Sequence, residues 1–297
     1  MPIPRRRSSC RGVDLLRAAA LGVGALVGAS SCASAQAGVS ALRAGPPDPS
    51  CRAALSAVAR SAKTQAPVAA AGAVLPADGF DGSLATGAAD KAGAEGVRLA
   101  GIELPEDAAA RREAAALLGE VLASPRAEII VLGPADRWGR RPAVVRDGDV
   151  VANAELLARG LALARPGEAP GGCSGGWLTL EDGARRGGLG VWGKPSALLL
   201  NAEDAAGILA QEGRFVVVEG RVRGLGETKT RVYLNFGTVR GEDFAVVIQK
   251  RNLRRVEASG MRWTSWEGRR VRVRGTVVRT IGPAIEVESP DGIERLD

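Results

Sequence analysis

The chain has 297 residues, 45% of them hydrophobic, and a formal net charge of +7. This length allows one large domain or two ordinary ones and is sufficient to bury a core. Aromatic residues make up only 3%, which predicts mainly aliphatic cores. Histidine is absent from the sequence, which excludes imidazole bases, histidine metal ligands and Ser/His or Cys/His catalysis. Any catalysis must use carboxylates, Arg, Lys, Ser, Tyr or Cys.

The N-terminal residues have the pattern of a secretory signal peptide. Arg5–Arg7 precede an apolar run of about a dozen residues, short beside the roughly 20 needed to span a membrane, and small residues follow it. Cleavage after Ala35 or Ala37 fits best, so residues 1–37 are predicted to export the protein to the periplasm or the medium. An uncleaved anchor, a twin-arginine signal and lipidation at Cys32 remain open.

The basic charge is concentrated in the C-terminal third. Residues 1–37 contain five Arg and one Asp, so their removal changes the formal charge from +7 to +3. Residues 38–212 then hold 18 basic and 21 acidic side chains, whereas residues 213–297 hold 17 and 11. If nucleic acid is bound through bulk electrostatics, the C-terminal third is the better candidate for the binding region.

Two cysteines remain after removal of the signal segment, Cys51 and Cys173. In an oxidising compartment such a pair is expected to form one disulfide. The alternative is a free thiol at Cys51. A cysteine nucleophile is less favoured, because the chain has no histidine to activate it.

The N-terminal two thirds of the mature chain predict a linker followed by a mixed module. Residues 38–72 form a flexible linker with one short helix near Cys51–Lys63. The predicted module covers residues 73–195. Its predicted elements, in chain order, are a hairpin with Asp-Gly turns at 78–83, a strand at 97–102 ended by Pro105, a helix at 107–122, strands at 128–132 and 142–145, a helix capped by Asn153, and a helix starting at Thr179.

The C-terminal part predicts a second, smaller β module. Residues 196–212 form a connector, helical over Leu198–Leu209. Residues 213–297 contain predicted strands near 214–224, 230–236, 243–248, 269–279 and 284–288. Five short strands separated by turns suit a small barrel of the OB type.

Three fragments carry a family resemblance: VRLAGIELPE at 97–106, DRWGR at 136–140 and NAELLARGLA at 153–162, followed by Leu189–Trp192. In this order and spacing they resemble the thermonuclease, or staphylococcal-nuclease-like, family. That resemblance implies a mainly β fold with α-helices: an OB-type five-stranded barrel with packed helices that hydrolyses phosphodiester bonds in DNA and RNA. The likeness is looser at 73–96 and does not extend into the OB-like C-terminal module.

The resemblance also assigns a catalytic trio. The family's two active-site arginines correspond to Arg98 and Arg140, and its catalytic glutamate corresponds to Glu106. The chemistry supports these residue types independently. Planar guanidiniums bind two oxygens of a phosphodiester at once, and a carboxylate can take a proton from the attacking water. The alternative is an ordinary surface pair, Arg98 with Glu106, and a solvated turn residue, Arg140.

The family's calcium site is altered in this chain. One family aspartate is replaced by Glu103, and alignment of Asp81 and Gly82 with the other places Ser83 in a ligand position. Glu103 and Asp81 are therefore the candidate calcium ligands, with Asp78 as the alternative to Asp81 in another register. Whether calcium is bound stays open, and an enzyme without it would be slow, metal-independent or inactive.

Residues 213–297 also contain six of the ten aromatic residues. Strand alternation places Arg231, Tyr233 and Asn235 on one face of a strand, the pairing of cation and aromatic ring with which OB folds hold single-stranded nucleic acid. Arg270, Arg272 and Arg274 similarly share a face of a later strand. The alternative is a solvated polar face with Tyr233 partly buried.

The leading hypothesis is an exported nuclease with single-stranded DNA or RNA as its partner. The alternatives are a catalytically inactive nucleic-acid-binding protein and an envelope interaction protein built of two OB-like modules. No membrane association is expected beyond the N-terminal segment, and the oligomeric state is not predicted.

Overall fold

The chain has a mixed α/β fold in which β-sheets predominate. The computed structural model describes residues 49–61, 80–86, 95–193, 198–239, 241–260 and 262–297. The predicted signal peptide and most of the predicted linker lie outside these residues. Within the described ranges, no helix combines the length and the apolar character needed to cross a membrane.

Two hydrophobic cores organise the described residues, all of which belong to one compact unit, Leu42–Asp297. One core draws on residues 51–191 and the other on residues 202–293, and both are mainly aliphatic, as the composition predicts. We call residues 49–193 the first module and residues 198–297 the second module.

The first module alternates short strands with helices. Its elements are α1 (Pro49–Ser61), β1 (Ser83–Thr86), β2 (Glu95–Leu99), β3 (Ile102–Glu103), α2 (Ala108–Leu122), β4 (Ala127–Val131), β5 (Arg140–Asp147), β6 (Val150–Val151), α3 (Ala152–Ala158), β7 (Leu163–Ala164) and α4 (Ser174–Arg186). The helix predicted at 107–122 is confirmed, and Asp107 caps it by accepting a hydrogen bond from the Ala110 N–H at 2.8 Å.

The main sheet of the first module has the strand order β1-β2-β5-β4, and β6 pairs with β5. Strands β2 and β5 run parallel, whereas β1 with β2 and β4 with β5 run antiparallel. A parallel pair needs a long crossover, which α2 and β4 supply here. This connection places the starts of β2 and β5 side by side.

Asn153 is a buried cross-link and not a helix cap, so that prediction was wrong. Helix α3 begins one residue earlier, after Val151. The Asn153 side chain accepts a hydrogen bond from the Val145 N–H at 3.2 Å and donates to the Ala100 carbonyl at 2.8 Å. A buried amide needs partners for both its donor and its acceptor, and these two join α3 to β5 and to the residue after β2.

The predicted start of α4 at Thr179 was also wrong. The helix begins at Ser174, and Thr179 lies inside it, donating its hydroxyl to the Gly175 carbonyl at 2.9 Å. Burial of Trp177 and Ala184 against the core holds the helix despite its glycines. Tertiary packing therefore overrides the weak local preference that suggested a later start.

A disulfide ties α1 to the start of α4 within the first module. Cys51 and Cys173, separated by 122 positions, are bonded to each other, as the sequence predicts for an oxidising compartment. Cys51 and Leu55 of α1 are buried in the first core. The short helix expected within the linker thus exists and is packed, while residues 62–72 of that linker lie outside the described ranges.

The second module is built on one large sheet. Its elements are β8 (Leu199–Asn201), α5 (Ala205–Leu209), β9 (Phe215–Arg221), β10 (Gly224–Glu227), β11 (Arg231–Asn235), β12 (Ala245–Gln249), α6 (Lys250–Val256), β13 (Arg270–Arg279), β14 (Pro283–Glu286) and β15 (Ile293–Arg295). Each of the five predicted strands overlaps an observed one, but the first ends at Arg221 instead of continuing to 224, and β10 and β15 were not predicted. The helix predicted over 198–209 is wrong in its first half, because Leu199–Asn201 instead pairs with β9 as a parallel strand.

The strand order of this sheet is β10-β11-β12-β14-β13-β9-β8, with β15 on β13. Strands β12 and β14 are parallel, and α6 and β13 form the connection between them. Strands β9 and β10 are far apart in this order, although only Val222 and Arg223 separate them along the chain. The N–H of Val222 bonds to Arg269, beside β13, and that of Arg223 bonds to Asn235 on β11.

The arginines of β13 share a face, as predicted, but that face is largely closed to solvent. Side-chain exposure falls from 58% at Arg270 to 8% at Arg272 and 1% at Arg274. Arg272 binds Glu219 of β9 at 2.9 Å and approaches Asp182 of α4 at 3.5 Å. The prediction of an open, nucleic-acid-binding face therefore does not hold at Arg272, because its guanidinium is buried and engaged by carboxylates.

Arg274 lies deepest in the interface between the modules. It binds Glu181 of α4 in the first module and Glu294 of β15 in the second. Burial acts to lower the pKa of this guanidinium, but the charges and hydrogen bonds of the two carboxylates offset it and hold the pKa above its ordinary value. A buried charge survives only with such partners, so this contact fixes how β13 meets α4.

We expect Arg274→Ala to lower the free energy of unfolding by about 3–5 kcal/mol, because it leaves the buried Glu181 carboxylate without its cation. Arg270→Ala is the matched control, since Arg270 is exposed on the same face of the same strand and should contribute no more than about 1 kcal/mol. Urea denaturation of the three proteins measures the difference. Equal losses in the two variants would contradict the role assigned to Arg274.

Candidate active site

Arg98 and Arg140 project from the parallel strands β2 and β5. Arg140 stands opposite Gly96 in this ladder, and Arg98 opposite Pro142. A Cβ atom on residue 96 would lie 3.3 Å from Cγ of Arg140, so the glycine leaves room for the arginine side chain beside β2. The fold therefore brings together the two arginines that the family resemblance assigns to the phosphate.

Asp136 holds both arginines. Its Oδ1 accepts hydrogen bonds from the backbone N–H groups of Trp138 and Arg140, each at 2.9 Å. Its Oδ2 lies 3.1 Å from Nε of Arg140 and 3.7 Å from Nε of Arg98. The tight turn is completed by Gly139, whose φ of +78° favours glycine. One carboxylate thus shapes the DRWGR turn and orients both guanidiniums.

The environment of Asp136 stabilises its charged form. Desolvation raises the pKa of this carboxyl, but the two backbone N–H groups and the Arg140 guanidinium outweigh it and hold the pKa below its ordinary value of 3.8. Asp136 is therefore ionised throughout the neutral range. It serves as a fixed anion and not as a proton carrier at neutral pH.

Asp81 and Ser83 complete the surroundings of Arg140. Nη1 of Arg140 lies 3.3 Å from Oδ2 of Asp81 and 3.0 Å from Oγ of Ser83. The other carboxylate oxygen of Asp81 accepts the Ser83 N–H at 2.9 Å. The residue predicted as a metal ligand, Asp81, is therefore bound to an arginine.

Glu168 links Arg98 to a third arginine, Arg165. Its Oε2 lies 2.5 Å from Nη1 of Arg98, and its Oε1 lies 3.2 Å from Nε of Arg165. Nη1 of Arg165 in turn binds Glu103 at 2.7 Å. Glu168 therefore neutralises part of the charge of both guanidiniums.

Glu106 lies apart from this chain of ion pairs. Its side chain is 61% exposed, and its Oε2 lies 2.8 Å from Nη2 of Arg214, which belongs to the second module. Glu103 and Glu106 line one cleft of about 360 Å³ between the modules. The proposed base is therefore open to solvent and near Glu103, but no direct contact joins it to Arg98 or Arg140.

The residues present do not fit a calcium site. Calcium prefers six to eight oxygen ligands, several of them carboxylates. Here both candidate ligands, Asp81 and Glu103, bind arginines, and Ser83 replaces the family's aspartate. In the described part of the chain no three acidic or cysteine side chains are grouped as a metal site requires. A divalent cation would have to displace a guanidinium from each carboxylate.

The second module has a groove of about 510 Å³ on the face of β11 that carries Arg231, Tyr233 and Asn235, the face predicted to bind nucleic acid. Arg231 is exposed and Tyr233 and Asn235 are half-buried along it, while Val232 and Leu234 on the opposite face are fully buried. The alternation predicted for this strand is therefore confirmed. Ile281, 69% exposed, lies in a loop that forms one side of the groove.

Sequence patterns indicated some of this site and missed the rest. The family motifs named Arg98, Glu106 and Arg140, and named Asp81 and Glu103 only as metal ligands. They did not include Asp136 or Glu168. Asp136 carried a usable signal, since an aspartate at the start of a tight turn commonly bonds to backbone N–H groups two residues on. Glu168 carried none, because only the fold brings it to Arg98.

Comparison with known proteins adds no identification: no known family and no curated protein matches this chain.

We expect Asp136→Asn to lower the melting temperature at neutral pH, because both arginines lose their shared anion. The pKa of Asp136 in the folded protein lies below its unfolded value of 3.8, so the charged carboxyl stabilises the fold above pH 3.8. This stabilisation is lost as the pH falls through the lower pKa of the folded protein. The difference in melting temperature between Asp136→Asn and the wild type should therefore disappear in strong acid. Asp149→Asn, at an exposed turn position, should melt like the wild type throughout. A gap of constant size across the pH range would refute the assignment.

Proposed function

We propose that this protein is an exported, thermonuclease-like phosphodiesterase that hydrolyses DNA or RNA. The observation that carries the proposal is the meeting of Arg98 and Arg140 at Asp136. Glu106 is exposed in the cleft between the modules, whose lining residues do not include either arginine. Asp136 binds the two guanidiniums from neighbouring strands, so both point to the same side of the sheet edge, as two groups that hold one phosphate must.

The strand connections support the finer proposal that both modules are of the OB type. In each module a strand runs parallel to a later one, and a helix and an antiparallel strand lie between them in the chain. In the second module, β9 and β10 are nearly continuous in sequence but pair at opposite ends of the strand order, as in a sheet that curls into a barrel.

The proposed mechanism uses the chain's own residues. Arg98 and Arg140 hold two oxygens of the phosphodiester and stabilise the charge that grows there. A water oxygen bonds to phosphorus while Glu106 takes the proton that the water loses. The ester P–O bond then breaks, and the departing oxygen takes a proton from solvent.

The bound carboxylates set the cost of substrate entry. Glu168 and Asp136 must release Arg98 in part when a phosphate arrives. The Arg98, Asp136 and Glu168 side chains are only 24%, 19% and 29% exposed, so the phosphate must replace the bonds that it breaks, and it can do so because it binds a guanidinium through two oxygens. The candidate calcium ligands Asp81 and Glu103 do not fit a calcium site, so the proposed mechanism uses no metal ion.

The disulfide supports the proposed export. Disulfides persist in oxidising compartments and are rare in the cytosol, and Cys51 and Cys173 are paired in a buried position. The basic start, the apolar run and the small residues of the first 37 positions point the same way.

The test is cleavage of single-stranded DNA and RNA by the purified protein, with calcium and with a chelator. Glu106→Gln should slow cleavage about 10²- to 10⁴-fold through loss of the base. Arg140→Ala should slow it about 10²- to 10³-fold through loss of one donor to the developing charge. Glu113→Gln, an exposed glutamate of α2, is the matched control and should cleave normally. Full activity in the Glu106 variant would reject the proposal.

The groove on β11 favours a second candidate function, the binding of single strands without cleavage. A cation beside an aromatic ring on an accessible sheet face suits a nucleic-acid strand, and the second module carries the excess of basic charge. This function would hold even if the neutralised arginines of the first module bound no phosphate.

For this candidate we expect salt-sensitive binding of an oligothymidine. Tyr233→Ala should weaken it about fivefold or more, the loss of one stacked base, and Arg231→Ala should reduce both affinity and salt dependence. Arg251→Ala, an exposed arginine of α6, is the control. Fluorescence anisotropy over a salt series provides the measurement. Unchanged binding in both groove variants would rule this face out.

A further inference from the structure

We infer that the cleft between the modules is a nucleotide-phosphate subsite whose cation, Arg214, comes from the second module. The inference rests on the proposed phosphodiesterase function and extends it, because none of the family motifs includes a residue of the second module. It assigns Arg214 to a phosphate next to the one that is cleaved, and Phe215 to the flanking base.

Both modules form this cleft of about 360 Å³. Glu103, Pro105 and Glu106 line it from the first module, and Arg214 and Phe215 line it from the second. The proposed base therefore faces the second module directly. Arg214 binds Glu106 at 2.8 Å, so a phosphate that reaches Glu106 also reaches the Arg214 guanidinium.

Arg214 is held in place by its own sheet. Its carbonyl accepts the Val277 N–H at 2.9 Å, and the neighbouring Gly213 N–H donates to the Val277 carbonyl at 2.9 Å. The guanidinium binds Glu106 at 2.8 Å and Gln211 at 3.3 Å, and the side chain is 53% exposed. Its backbone is thus fixed while its head group stays accessible to an anion from solvent.

Phe215 provides the apolar part of the subsite. The Arg165 guanidinium lies 5.4 Å from its ring centre, and Arg165 also binds Glu103 and Glu168. The ring therefore connects the cleft to the ion pairs around Arg98. A half-buried aromatic ring that lines the cleft beside a cation suits a stacked base, which aromatic side chains bind without a strong sequence preference.

The pair between Glu106 and Arg214 gives the subsite a second property. While Arg214 binds Glu106, the proposed base is occupied and the cation is neutralised. A phosphate that binds Arg214 displaces the carboxylate and leaves it free to accept a proton. Substrate binding and release of the base are then coupled, and removal of the Glu106 charge should strengthen phosphate binding.

The experiment measures binding of a fluorescent phosphorothioate-linked oligothymidine, which resists hydrolysis, to the full chain. Glu106→Gln should tighten binding up to about fivefold, because it frees Arg214 from an exposed ion pair. Arg214→Ala should weaken binding and lower the slope of log K against log salt by about 0.7, the value for one phosphate contact on a single strand. In the double variant the gain from Glu106→Gln should disappear.

Arg223→Ala is the matched control. Arg223 belongs to the same module and pairs with Glu203 at 2.8 Å, with side-chain exposures of 52% and 62% against 53% and 61% for Arg214 and Glu106. The Arg223→Ala variant should bind the oligothymidine like the wild type. Phe215→Leu, checked for folding by its melting curve, should weaken binding without changing the salt slope.

Binding and cleavage separate the two ideas. If the wild type does not cleave natural DNA or RNA but Arg214 and Glu106 are coupled in binding, the phosphodiesterase proposal fails and the subsite stands. If the wild type cleaves and Arg214→Ala leaves KM, affinity and salt slope unchanged, the subsite is overturned and the phosphodiesterase stands. Tightening by Glu106→Gln that persists in the double variant would also overturn the subsite.

Discussion

The buried contact of Arg274 with Glu181 and Glu294 fixes the arrangement on which the candidate site depends. A guanidinium with 1% of its side chain exposed is tolerated only because carboxylates surround it. Glu181 lies on α4 of the first module and Arg274 on β13 of the second, so their ion pair joins the two modules. Movement of one module against the other would separate the buried guanidinium from the Glu181 carboxylate. The cleft at Glu106 owes its second wall to this constraint.

Much of the fold was predictable from sequence, because hydrophobic period and turn chemistry are local signals. Helix α2 and the strands of the second module follow such signals closely. The wrong predictions lie where contacts between residues distant in sequence determine the local structure. Leu199 and Leu200 form a strand because β9 offers them a ladder, and Asn153 is buried because β5 satisfies its amide. The burial of Arg272 likewise depends on a helix from the other module.

The candidate site was predictable only in part, for the same reason. The family resemblance suggested the arginines, but it gave no information on the charge of their surroundings. Three arginines, Arg98, Arg140 and Arg165, meet four carboxylates in one connected set of ion pairs completed by Asp81, Asp136, Glu103 and Glu168. That balance follows from the folded structure and separates this site from a simple cationic phosphate pocket.

Such internal neutralisation has a consequence for how a polyanion would first approach the molecule. Opposite charges a few ångströms apart produce a field that decays quickly with distance, and salt shortens its range further. The first module would therefore attract a distant strand poorly, whereas the basic excess of the second module acts over a longer range. Initial encounter and chemistry would be divided between the modules, one collecting the strand and the other acting on it after close contact.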